Sequence, residues 1–357
     1  MKQQIGLALL FGFSFFAGLS VTQAQTDEPI PLWAYAWSTQ PQPGDTARPQ
    51  IPPSRDLRPG DDPDEIYEMW TVEGSSATYS RMDTRDGGNV IDWFPGDHPP
   101  MTDLMRHGPE SLRGVVGNRG CASCHLPNGK GRPENAPPAG QPVEYTIQQL
   151  KDMRDGLRYS ADPRKPNSPT MNLLAAAMSD EEMQEAAEYF AAIPWTRWMY
   201  VIEAELIPEM HLEEGNMYVT VGTEATEPLA GRIVETPVDE HQANYLRNPR
   251  SPWNVYVPVG SLAKGEELVV NGGEGKTIQC GICHGADLMG LGAVPGIAGR
   301  SPSYMMRQLY DMKKGTRNGT GVALMKPVIT NLNVEDMTNI VAYLASIVPP
   351  PAPNDVQ

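Results

Sequence analysis

All four cysteines of this 357-residue chain lie in two copies of one short pattern, Cys-x-x-Cys-His. Two thiols at this spacing can each form a thioether with a vinyl group of one haem, and the adjoining histidine then reaches the iron as its fifth ligand. Because the pattern uses every cysteine, no thiol is left for a disulfide. The sequence therefore predicts two covalently bound haem c groups. Their predicted attachment sites are Cys121, Cys124, Cys280 and Cys283, and the predicted iron ligands are His125 and His284.

The chain also repeats itself. Shifting residues 121–158 by 159 positions places Cys121 on Cys280 and Arg158 on Arg317, and beyond this point the offset becomes 154. A five-residue insertion in the first copy, around Pro163 to Ser168, accounts for the change of offset. We therefore expect two copies of one unit, each with a haem pattern near its start.

Each copy is predicted to be helical. In both, a proline opens a helix after the haem pattern, a glycine ends it, and a capping box opens a final helix. These residues are Pro142, Gly156 and Ser179 with Glu182 in the first copy, and Pro302, Gly315 and Asn333 with Asp336 in the second. A further helix is expected before each pattern, from Ser261 in the second copy and near Leu104 to Val116 in the first.

The sixth iron ligand decides what each haem can do. An open position permits catalysis, whereas a methionine thioether gives an electron carrier and favours reduced iron. Met171 and Met325 occupy the same slot of the repeat, ahead of the last helix, and are predicted to be these ligands, each placed in a loop. The chain has 18 methionines, and most would simply fill the core. The alternative ligands are His98, His107, His211 and His241.

With these features each copy resembles a class I cytochrome c. The shared features are an N-terminal helix, the haem pattern, a Pro-x-x-x-Gly element (Pro295 to Gly299), the methionine, and a C-terminal helix with an aromatic residue. Two copies in one chain are similar to the tandem di-haem cytochromes of bacterial periplasms. The resemblance implies that the Pro295 carbonyl orients His284. The first copy has Ala136 at that position, so it departs from the family pattern there.

The resemblance implies a mainly α fold with two class I cytochrome c domains in tandem. Outside the repeat, the residues predict a Pro-rich N-terminal arm and a segment of short strands between the domains. The arm contains scattered tryptophans and is expected to be extended, packed by aromatic anchors. Strands are expected at Met217 to Val221 and at Gly231 to Val234. The expected segments are a signal peptide (1–24), the N-terminal extension (25–105), domain 1 (106–194), the inter-domain segment (195–257), domain 2 (258–350) and a tail (351–357).

The N-terminus predicts export. Lys2 precedes an apolar stretch from Ile5 to Val21, and Thr22-Gln23-Ala24 is suited to signal cleavage. Since haem is attached to cysteines outside the cytoplasm, we expect a periplasmic protein with no stable membrane span after cleavage. An uncleaved N-terminal anchor is the alternative.

The net charge of −16 argues against nucleic acid as a partner. It suggests redox partners with a basic docking face, or simply a charge that maintains solubility. The leading hypothesis is a periplasmic electron carrier, not an enzyme, that passes electrons from a dehydrogenase or other donor toward a terminal oxidase or other acceptor. The alternatives are a di-haem redox enzyme, such as a peroxidase or a sulfur-compound dehydrogenase, and a cytochrome subunit of a dehydrogenase complex. A third alternative is a single zinc bound by both cysteine pairs.

Overall fold

The computed structural model describes residues 28–47, 57, 61–115, 118–213 and 217–350. The predicted signal peptide and the tail lie outside these residues.

The α-helices are Leu32–Tyr35, Arg81–Thr84, Asp103–His107, Cys121–His125, Val143–Arg154, Asn167–Ala177, Asp180–Ala191, Ser261–Glu266, Gly281–His284, Pro302–Lys314, Val322–Ile329 and Val334–Ser346. A 3₁₀ turn covers Glu110–Leu112, and π-helical turns cover His241–Tyr245 and Glu267–Asn271. Within the described ranges, no helix combines the length and apolar character that a bilayer crossing requires.

Two helical units follow the same plan. The first unit (residues 103–193) and the second unit (residues 261–346) each contain a helix, the haem pattern, a long helix, a shorter helix and a final helix. Both predicted capping boxes form, so the side chains of Ser179 and Asn333 each accept from a backbone N–H one turn into the final helix. The internal repeat of the sequence therefore corresponds to a repeated structure.

The leading helix of the first unit is shorter than predicted. It begins at Asp103 and ends at His107, where a helix reaching Val116 was expected. Gly108 follows with φ +81°, and Pro109 cannot donate a backbone hydrogen bond to continue the helix. The expected boundary between residues 105 and 106 therefore falls inside this helix.

Short strands fill the segment between the units. Trp253–Val257 is the central strand of a three-stranded sheet, parallel to Met199–Glu203 and antiparallel to Val234–Pro237. The predicted strand at Met217 forms, over Met217–Thr220, and pairs with Met210–Glu213. The remaining strands are Met69–Trp70 with Tyr79–Ser80 and Leu206–Pro208 with Thr226–Pro228.

The predicted strand over Gly231 to Val234 starts late, at Val234. Ala230 and Gly231 have φ of +52° and +76°, a turn conformation that a strand does not allow.

The N-terminal extension packs on both the second unit and the strands. Tyr35 is fully buried, and its hydroxyl donates to a carboxylate oxygen of Asp311 at 2.5 Å, 276 residues away. Farther along, the Trp93 indole N–H donates to the Leu246 carbonyl at 2.8 Å, within a small apolar cluster. The extension is thus tied to the rest of the chain by buried aromatic side chains.

The Tyr35 contact gives a stability prediction. Tyr35→Phe should lower the free energy of unfolding by about 1.5–3 kcal/mol, the range for a hydrogen bond to a charged group. The reason is that Asp311 loses a donor in a buried place, where burial already raises the pKa of its carboxyl to about 6. Denaturant unfolding of the haem-loaded protein measures the change. Tyr67→Phe, at a 55% exposed position, is the control. Equal, small effects of both variants would contradict the packing of the extension.

Candidate haem sites

The first haem pattern borders a largely apolar cleft. Apolar clefts of this kind are typical of cofactor sites. Cys121, Cys124 and His125 form one side of the cleft, and Phe190 packs edge-on against the imidazole at 5.8 Å between ring centroids. Met171 lines the same cleft. The cleft therefore brings the predicted attachment residues and both predicted iron ligands of the first unit together.

Both pattern histidines are oriented in the same way. His125 Nδ1 lies 2.7 Å from the Ala136 carbonyl oxygen, and His284 Nδ1 lies 2.7 Å from that of Pro295. Since a carbonyl only accepts, each Nδ1 carries the proton, and Nε2 keeps its lone pair for a metal. Burial lowers the pKa of both imidazoles, which favours the neutral form that binds iron.

Ala136 makes the same carbonyl contact to His125 that Pro295 makes to His284, although the first copy lacks the proline of the family pattern. The acceptor is a backbone carbonyl, which an alanine provides as well as a proline does. The departure from the family pattern at this position leaves the orientation of His125 unchanged.

The predicted methionine ligands lie in helices, and the loop prediction was wrong. Met171 belongs to Asn167–Ala177 and Met325 to Val322–Ile329. The first segment contains Leu-Leu-Ala-Ala-Ala and the second Ala-Leu-Met-Lys, and these residue types favour helix over an open loop. Each methionine is partly buried against the core. Their coordination of iron stays a prediction.

The alternative histidines are engaged elsewhere. His98 contacts Asp92, the Pro99 carbonyl and the Tyr189 hydroxyl, and His107 contacts the Gly88 carbonyl. His211 pairs with Glu213, and His241 stacks on Tyr245.

The single-zinc alternative fails on geometry. Over the ranges that the structure describes, which include all four cysteines, no three His, Cys, Asp or Glu side chains gather around a point where a metal ion could bind. The two cysteine pairs thus belong to separate sites.

The two units meet through equivalent residues. Arg158 and Arg317, which coincide in the repeat, face each other in an antiparallel bridge. Arg158 donates to Tyr304 and Gln308 of the second unit, and Arg317 donates to Tyr145 and Gln149 of the first. Tyr304 also lines the cleft of the first unit. The interface is therefore an approximate two-fold arrangement that borders the first haem cleft.

A second pair of equivalent positions secures the same interface. Gln141 exchanges two hydrogen bonds of 3.0 Å with the backbone of Gly296. Arg300 occupies the equivalent position in the second unit and donates to the carbonyls of Pro137 and Ala139 in the first.

The cleft residues fit a haem. Haem presents an apolar macrocycle and two carboxylates, and the cleft offers an apolar wall beside a wall with unpaired polar atoms. Arg158, which lines the cleft, is buried and donates to neutral amide and phenol groups. Lys165 Nζ and Ser160 Oγ line the polar wall without a hydrogen-bond partner. When bound, each haem iron exchanges one electron between its ferric and ferrous states.

Sequence reasoning missed Lys165, Tyr304 and Arg300. Arg158 with Arg317 and Gln149 with Gln308 were visible as coincident positions of the repeat, which signalled shared structure without indicating an interface. Lys165 carried no such signal because it lies in the insertion.

Comparison with known proteins shows that this chain is similar to c-type cytochromes. The family described as Cytochrome c matches residues 113–193. The thiosulfate dehydrogenase electron acceptor of Stutzerimonas stutzeri is 26% identical over 231 residues, which cover 64% of this chain and 78% of that protein. Cytochrome c-554(548) of Halomonas halodenitrificans is 37% identical over 75 residues, which cover 21% of this chain and 90% of that protein. The solved cytochrome c4 of Acidithiobacillus ferrooxidans aligns with 63% of this chain and 98% of its own, at 22% identity and a TM-score of 0.42.

Proposed function

This chain belongs to the cytochrome c family as a di-haem class I c-type cytochrome, and from that premise we propose that it is a periplasmic electron carrier. In this proposal it accepts electrons from a dehydrogenase and passes them toward a terminal oxidase or another acceptor. Cys121, Cys124, Cys280 and Cys283 attach the haems, and His125 with Met171 and His284 with Met325 ligate the irons. The two helical units are the two cytochrome c domains in tandem.

The observation that carries the proposal is the interface between the units. Tyr304 of the second unit lines the cleft of the first, and the Arg158–Arg317 bridge lies between them. This shared wall supports the proposal, because it would fix the first cofactor relative to the second unit, as internal electron transfer requires. The carbonyls of Ala136 and Pro295 orient His125 and His284, so each histidine would hold an iron in one defined geometry.

A dehydrogenase for sulfur compounds is the donor we favour. The relative from Stutzerimonas stutzeri is by its name the electron acceptor of a thiosulfate dehydrogenase. The match covers 64% of the chain described here. The net charge of −16 suits a partner with a basic docking face. Glu185 is one candidate contact, because it lies close to Cys121 and its charge adds to the burial that raises the pKa of that thiol.

A stopped-flow experiment tests this function. Thiosulfate and the thiosulfate dehydrogenase of Stutzerimonas stutzeri should reduce both haems of this protein, followed by the visible absorption of ferrous haem. The rate should fall about tenfold or more as salt screens the attraction between partners. Glu185→Lys should slow the reaction, and Glu205→Lys, at an exposed bend just before the strand Leu206–Pro208, is the charge-matched control. Reduction by thiosulfate without the dehydrogenase would instead indicate an enzyme.

A di-haem redox enzyme is the second candidate. The cleft of the first unit contains titratable Lys165, Glu134 and Asp311 beside the His125 wall, and such groups could serve acid–base chemistry. That function needs an open sixth position at the first iron. Rapid binding of cyanide by the wild-type protein would favour this candidate over the electron carrier.

A further inference from the structure

Lys165 distinguishes the first haem cleft from its counterpart in the second unit. It lies in the five-residue insertion around Pro163 to Ser168, so the repeat gives it no equivalent. Its side chain is 4% exposed, and Nζ has no hydrogen-bond partner. It lines the cleft that also contains His125 and Met171. An unpaired lysine in such a place is costly unless a ligand supplies an anion.

The protein's own carboxylates nearby are already engaged. Asp162 binds the Arg164 guanidinium, and Asp311 accepts from the Tyr35 hydroxyl and the Ala161 N–H. Glu134 forms an ion pair with Arg132, although neither of its carboxylate oxygens accepts a hydrogen bond within the described residues. The charges that face Lys165 are these three carboxylates and the Arg307 guanidinium, and none of the carboxylates lies within ion-pair distance of Nζ in the described part of the chain.

Burial lowers the pKa of Lys165 to about 7, and the Arg307 cation adds to that effect. Without an anion beside it, the ammonium ion is therefore poorly stabilised. A carboxylate brought into the cleft would reverse this, since an opposite charge at close range favours the protonated amine.

We propose that the Lys165 ammonium binds a propionate carboxylate of the haem attached to Cys121 and Cys124, and thereby raises the reduction potential of that haem above the value it would otherwise have. A fixed positive charge stabilises the ferrous iron relative to the ferric iron, which carries one more positive charge. The second unit lacks this lysine. The insertion thus makes the reduction potentials of the two haems unequal, and this difference sets the favoured direction of electron transfer between them.

The proposal requires that the first haem occupies the cleft, and it does not depend on which proteins donate or accept electrons. Failure of the dehydrogenase experiment would leave the potentials of the two haems measurable. Conversely, unchanged potentials would overturn the role of Lys165 and leave the electron-carrier function intact.

The test is a redox titration of the haem-loaded full-length protein and its Lys165→Gln variant. NMR signals of the haem methyl groups report each haem separately, and contacts with Phe190 identify the first. Lys165→Gln should lower the equilibrium constant for reduction of the first haem on the order of tenfold, which is 59 mV for a one-electron couple. The second haem should change less than twofold, and Lys165→Arg should retain the wild-type value.

Lys151→Gln is the matched control, because it removes a lysine of the same unit that pairs with an exposed aspartate, Asp180. Lys165→Leu is a second neutral variant if the amide destabilises the unit. No shift in either neutral variant, or a shift equal to that of Lys151→Gln, would overturn the proposal. So would a changed near-infrared or ferric spin signal in Lys165→Gln, since that would make the amine an iron ligand.

Discussion

Met171→Ala should open the first iron to water or cyanide and abolish the near-infrared sulfur-to-iron band of that haem, leaving the second haem unchanged. The potential of the first haem should fall on the order of 0.1 V, a part of the roughly 0.8 V that axial ligands span. The reason is that the thioether's preference for ferrous iron is lost. Met325→Ala should have the same effect on the second haem alone. Near-infrared absorption of the oxidised protein and a redox titration measure both effects.

The cleft provides its own controls. Met153 and Met178 line the same cleft as Met171, so each is a competing source of a thioether. Met153→Ala and Met178→Ala should lower stability through lost packing and leave the band at full strength. In the second unit Met312, the repeat partner of Met153, serves the same purpose. If Met178→Ala removed the band and Met171→Ala did not, the ligand of the first haem would be misassigned. If neither variant removed the band, the result would favour the di-haem enzyme over the electron carrier.

What the sequence predicted well depended on short-range chemistry. The haem patterns and the capping boxes at Ser179 and Asn333 are each set by residues a few positions apart. A capping box needs only a side-chain oxygen at the helix start and an acidic residue three positions later, and both boxes form. The attachment residues and His125 likewise lie together in the first cleft.

What the sequence did not predict depended on the backbone or on contacts between distant residues. The Ala136 carbonyl orients His125, and residue identity says little about a contact made by a backbone oxygen. The loop prediction for Met171 ignored the helix preference of Leu-Leu-Ala-Ala-Ala, which begins two residues later at Leu173. Lys165 is buried by groups from the insertion, the first unit and Arg307 of the second, and a single-sequence argument does not bring these together.

Residues that coincide in the repeat also form the contact between the two units. Arg158 and Arg317 coincide in the alignment because they perform the same task in opposite directions, each donating to a tyrosine and a glutamine of the other unit. A polar residue that recurs in a repeat and would otherwise be costly to bury is therefore a candidate for the contact between the copies.

Arg300 joins the two units at a buried position, so we expect its replacement to lower the free energy of unfolding strongly. It is 3% exposed, donates to the Gly296 carbonyl of its own unit at 2.7 Å, and reaches the Pro137 and Ala139 carbonyls of the first unit. Its guanidinium lies over the Trp195 ring at 4.1 Å. Burial lowers the pKa of Arg300 to about 10, so the side chain stays charged at neutral pH.

Arg300→Leu should lower the free energy of unfolding by about 3–5 kcal/mol, since the buried carbonyls of Pro137 and Ala139 lose their donor and each costs about 1–3 kcal/mol. Denaturant unfolding followed by haem absorbance measures the loss. Arg113→Leu, which removes an exposed pair with Asp103, should change stability by less than about 1 kcal/mol. Because Pro137 and Ala139 flank the loop whose Ala136 carbonyl orients His125, the variant should also disturb the first haem before the second. Equal stability of the two arginine variants would mean that the units are not held together through Arg300.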